Sequence, residues 1–208
     1  MIEYIFPHNP DDRILKKASS LLKAGELVVI PTDTSWVLLA DPFHKGAVEK
    51  LYRAKNEEKS HHFSLLCEDI SSASELAHIS DKAFRLIRGK VPGHYTFIFD
   101  ATKKMIKSLK ASKTDHQVGL RFVPQPYITE LLKVHTSPLL STNIDSHLLG
   151  RPLEEGEVYS YELEEALKST ASLIIDPGEL DFVGASTIID LRDGHEDLIR
   201  LGAGEPLF

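Results

Sequence analysis

Short apolar runs rich in β-branched residues recur along this chain of 208 residues, and segments with helical patterning separate most of them. The clearest runs are ELVVI at 26–30, YTFIF at 95–99, SLIID at 172–176 and STIIDL at 186–191. Such runs are typical of buried strands, and alternation with helices is typical of α/β proteins. We therefore expect one α/β domain over residues 1–208, with a mixed sheet flanked by helices. The pattern does not reveal the order of the strands.

Helix boundary signals support this division of the chain. Asp11 and Asp12 precede an amphipathic segment that Gly25 can end, and a second helix is predicted over roughly Lys45 to Lys55. Two prolines open a later helical segment, YITELLKV at 127–134. No linker, repeat or low-complexity tract interrupts the series.

Polar side chains follow several of the predicted strands. After ELVVI, the residues Thr32, Asp33 and Thr34 form either an ordinary turn or part of a ligand site, because open α/β sheets bind ligands beyond strand ends. The other strand-end residues with hydroxyl, amide or guanidinium groups are Arg121, Ser141, Asn143, Ser186, Thr187 and Arg200. Together these groups predict a polar cleft for a small anionic ligand.

Composition limits the class of protein. The chain is 42% hydrophobic and 26% charged, as in globular proteins, and it has neither a membrane-length apolar run nor a basic signal-peptide opening, which predicts a cytoplasmic protein without a membrane partner. The single cysteine, Cys67, excludes an internal disulfide and lies in the apolar run FSLLC, which favours a buried, inert thiol over a nucleophile.

A lysine-rich segment, ATKKMIKSLKASK, stands out in a chain whose net charge is −7. On a helix, Lys103, Lys107 and Lys110 share one face, and Met105, Ile106 and Leu109 lie opposite. This face is either simply solvated or a contact for a nucleic-acid phosphate backbone. The overall acidity argues against wholesale nucleic-acid binding.

Familiar ligand motifs are missing from the sequence. It contains no Gly-x-x-x-x-Gly-Lys-Ser/Thr loop and no Gly-x-Gly-x-x-Gly after a strand, so a nucleotide would have to be held in another way. The pair His61-His62 lacks an obvious third ligand, and no metal site is predicted there.

Six segments nevertheless resemble the YrdC-like family, and they occur in the family's order across nearly the whole chain: GELVVIPTDT, PGHYTFIF, VGLRFVP, PLLSTN, GASTIIDL and LIRLGAGEP. The resemblance implies a twisted mixed sheet around a concave, usually basic cavity. It also implies synthesis of threonylcarbamoyl-AMP from L-threonine, bicarbonate and ATP, with release of pyrophosphate, for a tRNA modification. Mg²⁺ is implied only by the ATP chemistry, and some members bind double-stranded RNA.

The resemblance also implies roles for individual residues. It places Thr32, Ser141 and Ser186 against the threonine substrate, and Arg121 against a carboxylate or phosphate of the substrate. It places Lys55, Asn143 and Arg200 on the nucleotide side, with Lys55 as the catalytic cation.

Departures from the family pattern point to its YciO branch. Synthases have Lys-x-Arg after the second helix, whereas this chain has Lys55-Asn56-Glu57, so an acid replaces the arginine expected to face phosphates. At about 4 Å and an effective dielectric near 20, one unit-charge pair is worth roughly 4 kcal/mol before screening. His94 replaces a usual proline and Cys67 a usual histidine. We therefore expect weak or altered synthase activity; the alternative is a protein that binds double-stranded RNA or tRNA without synthase activity.

Overall fold

The computed structural model describes residues 1–55, 63–109, 116–153, 157–192 and 195–208. The strands of this part are β1 (Ile2–Tyr4), β2 (Val28–Pro31), β3 (Trp36–Ala40), β4 (Ser64–Leu66), β5 (Ala77–His78), β6 (Tyr95–Ala101), β7 (Gln117–Arg121), β8 (Leu139–Asn143), β9 (Leu173–Asp176), β10 (Thr187–Asp190) and β11 (Asp197–Arg200). The helices are α1 (Asp12–Lys23), α2 (Lys45–Ala54), α3 (Ile70–Ala73), α4 (Asp81–Ile87), α5 (Lys103–Leu109), α6 (Pro126–His135), α7 (Ser146–Leu149) and α8 (Ser160–Leu167).

The described strands form one mixed sheet in the order β1-β9-β2-β3-β8-β4-β7-β6-β10-β11, with β5 paired to β6 outside this order. The prediction of a mixed sheet flanked by helices is therefore confirmed. Local sequence patterns did not reveal β1, β3 or β5. All five residues of β3 are buried, and a short, continuous apolar run of this kind does not by itself distinguish a strand from a buried helix.

Local signals at the first helix act as expected. The side chain of Asp11 caps α1 by accepting a hydrogen bond from the backbone N–H of Arg13 at 2.8 Å. Gly25, just past the end of α1, has φ of +84°, a conformation that side chains rarely adopt. The chain can therefore leave α1 and enter β2 within four residues.

The sheet separates two apolar clusters. On one face, α1 and α6 pack against each other and over alternate residues of the neighbouring strands, such as Val28, Val37 and Leu39. On the other face, α2, α4, α5 and α8 cover the intervening residues, such as Leu38 and Leu120. This alternation is the period-two pattern of a sheet that is buried on both faces.

Coverage of the first face is incomplete. Among the described residues, the α1–α6 cluster includes side chains from β2, β3, β4, β8 and β9 but none from β6, β7 or β10. Several residues of the uncovered part are only half-buried: Ser64, Ile98, Gly119 and Ile188. We call this part of the sheet the open face; by register it includes Ser64, Thr96, Ile98, Gly119, Arg121, Ser141, Ser186 and Ile188.

Candidate functional site

A row of small residues crosses the open face. By strand register, Leu39 lies beside Ser141, Ser141 beside Ser64, and Ser64 beside Gly119. The hydroxyl of Ser141 donates to the backbone carbonyl of Ser64 at 3.0 Å. The apolar surface of β3 thus gives way to a shallow, polar floor on β8, β4 and β7.

Gly119 makes this floor accessible. A Cβ atom at this position would lie 3.3 Å from both Ser64 Oγ and Thr96 Cγ2. A glycine inside a strand commonly marks a place where a ligand or another backbone approaches closely. The sequence analysis identified neither Gly119 nor Ser64, although a glycine within QVGLRF at 117–122 was a readable signal.

The turn between β2 and β3 reaches across the open face. Arg121 donates through Nη2 to Asp33 Oδ1 at 2.8 Å and to Thr34 Oγ1 at 3.1 Å, and both Arg121 and Asp33 are buried. Because β8 and β4 lie between β3 and β7 in the sheet, this contact requires the turn to lie over the face rather than beyond it. The predicted site residue Arg121 is thus oriented by the carboxylate of Asp33, which lies in the turn that the sequence offered as a possible ligand site.

Thr32 shapes that turn. Its hydroxyl donates to the carbonyl of Ser35 at 3.0 Å and accepts from the N–H of Thr34 at 3.3 Å, and the residue is buried. These bonds are those of the ordinary turn considered from sequence. A contact between Thr32 and a substrate stays a prediction.

His94 completes the environment of Asp33. Its Nδ1 lies 2.7 Å from Asp33 Oδ2, and the imidazole is half-buried. Asp33 therefore binds Arg121 with one oxygen and His94 with the other. The sequence analysis noted His94 only as a departure from a family pattern.

Ser186 and Arg200 form the far side of the site. Ser186 Oγ lies 2.9 Å from Thr96 Oγ1, and Arg200 donates to the carbonyl of Ser186 through Nη2 at 2.8 Å and Nε at 3.1 Å. Burial lowers the pKa of Arg121, and the nearby charge of Arg200 lowers it further, while Asp33 opposes both effects. Arg121 is paired with Asp33, whereas among the described residues the nearby Arg200 donates to Ser186 only, and this leaves a positive excess suited to an anion.

Lys55 and Asn143 meet at another strand end. Lys55 Nζ donates to the carbonyl of Asn143 at 3.4 Å and forms an ion pair with Asp145, and only 8% of its side chain is exposed. Burial opposes the charged form of Asp145, but hydrogen bonds from Lys55 and from the N–H of Leu148 outweigh it and lower its pKa. The structure therefore brings Lys55 to Asn143, with the charge of Lys55 already paired to Asp145, and a nucleotide contact for either residue stays a prediction.

The remaining predicted residues lie elsewhere. Lys103 and Lys107 are exposed on α5, while Met105 is buried in the cluster on the face opposite the open face. Lys110, Glu57, His61 and His62 fall outside the described residues. Cys67 is buried and its pKa is raised by burial, as expected for an inert thiol.

The described residues offer neither a metal-ligand cluster nor a membrane-spanning helix. Within that part of the chain, no group of three or more His, Cys, Asp or Glu side chains could hold a metal ion. The described helices also include none that is long and apolar enough to cross a membrane. A separate cavity of about 370 Å³ is lined by side chains of both signs, including Glu75 and Lys104, whose charged atoms lie 3.5 Å apart. That cavity lacks the positive excess of the open face.

Comparison with known proteins identifies relatives over nearly the whole chain. The profile of the Sua5–YciO–YrdC family, described as "Telomere recombination", matches residues 20–202. The uncharacterized protein YciO of Escherichia coli K12 is 32% identical over 202 residues, which are 97% of this chain and 95% of the relative. The crystal structure of E. coli YciO covers 100% of this chain and 99% of its own, with a TM-score of 0.86 and 30% identity.

More distant relatives carry a functional name. A putative threonylcarbamoyl-AMP synthase of Methanocaldococcus jannaschii is 28% identical over 202 residues, which are 95% of this chain and 91% of the relative. The structure of Pyrococcus abyssi Sua5 complexed with L-threonine shares the fold, with a TM-score of 0.76, 21% identity, and coverage of 92% of this chain and 54% of that one.

Proposed function

This chain belongs to the Sua5–YciO–YrdC family, and from that premise we propose that its open face binds an adenylate and catalyses a threonylcarbamoyl-AMP synthase-like reaction. In this reaction L-threonine, bicarbonate and ATP yield threonylcarbamoyl-AMP and pyrophosphate, and the product supplies a tRNA modification. The named synthases among its relatives support the reaction class. The acid Glu57, at the position where the family pattern has an arginine, supports an altered or weaker activity.

The observation that carries the proposal is the positive excess over a floor of small residues. Arg121 is a cation paired with Asp33, Arg200 is a second cation close to Arg121, and Gly119 leaves room for a ligand to approach the sheet. Such a surface suits a carboxylate or phosphate, because guanidinium groups bind both through paired hydrogen bonds. We assign threonine contacts to Arg121 and to the hydroxyls of Thr32, Ser141 and Ser186.

The nucleotide contacts are assigned to Arg200, Asn143 and Lys55. The pairing of Lys55 with Asp145 supports the expectation of reduced activity, because the lysine would have to leave a carboxylate before it could neutralise phosphate charge. Positioning and charge stabilisation account for the chemistry: a carbamate formed from threonine attacks the α-phosphate, and the cations stabilise the departing pyrophosphate.

Mg²⁺ is assigned to the substrate rather than to the protein. Both oxygens of Asp33 already accept from His94 and Arg121, and the described residues offer no other carboxylate cluster. Mg²⁺ commonly keeps several waters and binds through nucleotide phosphates, so ATP would bring it in.

The test is a direct assay of pyrophosphate and adenylate formation by the purified protein with threonine, bicarbonate, Mg²⁺ and ATP. We expect slow, threonine-dependent turnover that increases in Glu57→Arg, which restores the arginine of the family pattern. Glu165→Gln, an exposed charge change on α8, is the matched control and should leave the rate unchanged. Absence of turnover in both the unaltered protein and Glu57→Arg would reject the synthase-like reaction.

RNA binding is the second candidate, and the exposure of Lys103 and Lys107 favours it. These lysines belong to a helix that packs on the opposite face of the sheet, so an RNA bound to them would not cover the open face. Binding to this helix should weaken steeply with salt and disappear in Lys103→Glu/Lys107→Glu. Undiminished RNA affinity in this double variant would exclude α5 as the contact.

A further inference from the structure

The contact with Asp33 determines the tautomer of His94. The 2.7 Å contact joins the imidazole Nδ1 to a buried carboxylate oxygen, whose acceptor character places the imidazole proton on Nδ1. Neutral His94 therefore carries its free lone pair on Nε2. Because the imidazole is 35% exposed whereas Asp33 is 1% exposed, the pair has a fixed inner side and an accessible outer side.

The groups around this pair are unsuited to accept a proton near neutral pH. Arg121 shares Asp33 with His94 and remains a cation, and Arg200 is a second cation close to Arg121. On α6, the buried hydroxyl of Tyr127 has no hydrogen-bond partner, and burial together with the charge of Asp33 raises its pKa. Histidine is the side chain whose protonation changes closest to neutrality.

We propose that His94 is the general base that activates the amino group of the amino-acid substrate, with Asp33 as its positioning residue. This inference rests on the proposed function. The nitrogen of an α-ammonium group has no lone pair and cannot attack carbon until it loses a proton. His94 Nε2 accepts that proton, and Asp33 stabilises the resulting imidazolium through Nδ1–H.

The step balances in atoms and charge. The freed amine forms an N–C bond with bicarbonate, the C–OH bond breaks, and the hydroxyl leaves as water with a second proton from the amine. An ammonium, a bicarbonate and a neutral imidazole thus give a carbamate, a water and an imidazolium, which afterwards returns its proton to solvent. Arg121, paired to the same Asp33, would hold the amino-acid carboxylate close to this base.

The experiment compares the pH dependence of pyrophosphate release by the unaltered protein and His94→Gln, at saturating ATP and threonine. Positioned general bases contribute roughly 10²- to 10⁴-fold, so kcat of the variant should fall about 100-fold at neutral pH, with KM for ATP changed less than about threefold. Above neutrality, the difference should shrink about tenfold per pH unit, because hydroxide supplies the free amine without His94. His8→Gln, an exposed histidine far along the chain, is the control and should follow the unaltered profile.

His94→Asn, which keeps a hydrogen-bond donor toward Asp33, guards against a folding defect in the first variant and should show the same loss and the same recovery at high pH. Threonine-dependent activity with equal pH profiles in all proteins would overturn the role of His94 and leave the proposed function intact. A raised KM with unchanged kcat would make His94 a binding group and would also overturn it. No turnover in the unaltered protein would reject the proposed function, and this inference with it.

Discussion

Replacing Asp33 by asparagine should destabilise the protein far more than an ordinary surface charge change. Asp33 is 1% exposed and bridges Arg121 and His94 through its two oxygens. Asparagine has nearly the same shape but no charge. Arg121 would then stay buried as a cation, with a second cation, Arg200, nearby.

The magnitude follows from the burial of the pair. Removing one partner of a buried ion pair costs about 3–5 kcal/mol, and the amide oxygen of asparagine retains part of the hydrogen bonding, so we expect about 3 kcal/mol. The entropy of unfolding is roughly 2.1 cal/mol/K per residue, or about 0.4 kcal/mol/K for this chain. The midpoint of thermal unfolding should therefore fall by about 7 °C.

Thermal unfolding of the purified variants measures this effect. Glu165→Gln removes an exposed ion pair with Lys168 and should change the midpoint by less than about 2 °C. Inorganic phosphate should stabilise Asp33→Asn more than the unaltered protein, because the anion replaces the lost carboxylate. A midpoint of Asp33→Asn equal to that of the control, or an Asp33→Asn/Arg121→Met double variant that loses the full sum of both single losses, would refute the reasoning.

Three further predictions concern other parts of the site and its supports. Gly119→Val should lower AMP affinity at least about tenfold by calorimetric titration, because even a Cβ atom at this position would lie 3.3 Å from Ser64 Oγ and Thr96 Cγ2, and valine adds two methyl groups. Unchanged affinity would show that the floor of the open face is not part of the binding surface. Asp145→Asn should cost about 1 kcal/mol through the lost ion pair with Lys55, because asparagine caps a helix about as well as aspartate and so preserves the cap of α7. The pKa of Asp145 is lowered in the fold, so its contribution to stability is present above the ordinary aspartate pKa of about 3.9 and is lost as pH falls below it. The stability of the variant should therefore depend less on pH in acid than that of the unaltered protein. Parallel curves of stability against pH would contradict this account. Cys67 should resist a thiol reagent in the native protein and react only in denaturant, and rapid native labelling would show that its burial is not maintained.

Local features of the sequence were sufficient for much of the fold. The apolar run at 27–30 and the helix capped by Asp11 involve neighbouring residues whose patterns are physically decisive: a continuous apolar run rich in β-branched residues, side-chain capping and a glycine at positive φ. The family resemblance also rests on local motifs, and it correctly indicated both the mixed sheet and the relationship to YciO. β3 was missed because WVLLA is a continuous apolar run with one β-branched residue, Val37, and such a run does not by itself distinguish a strand from a buried helix.

The candidate site depended on contacts that no local pattern contains. Asp33 meets Arg121 from 88 positions away and His94 from 61, while Thr96 meets Ser186 from 90. The sequence determined which polar groups stand near strand ends. Only the tertiary structure decided which of them meet, because the strand order brings a turn over strands distant in the chain and, among the described residues, leaves part of one face without helices. Through this arrangement Asp33, a residue of an ordinary turn sequence, binds both Arg121 and His94.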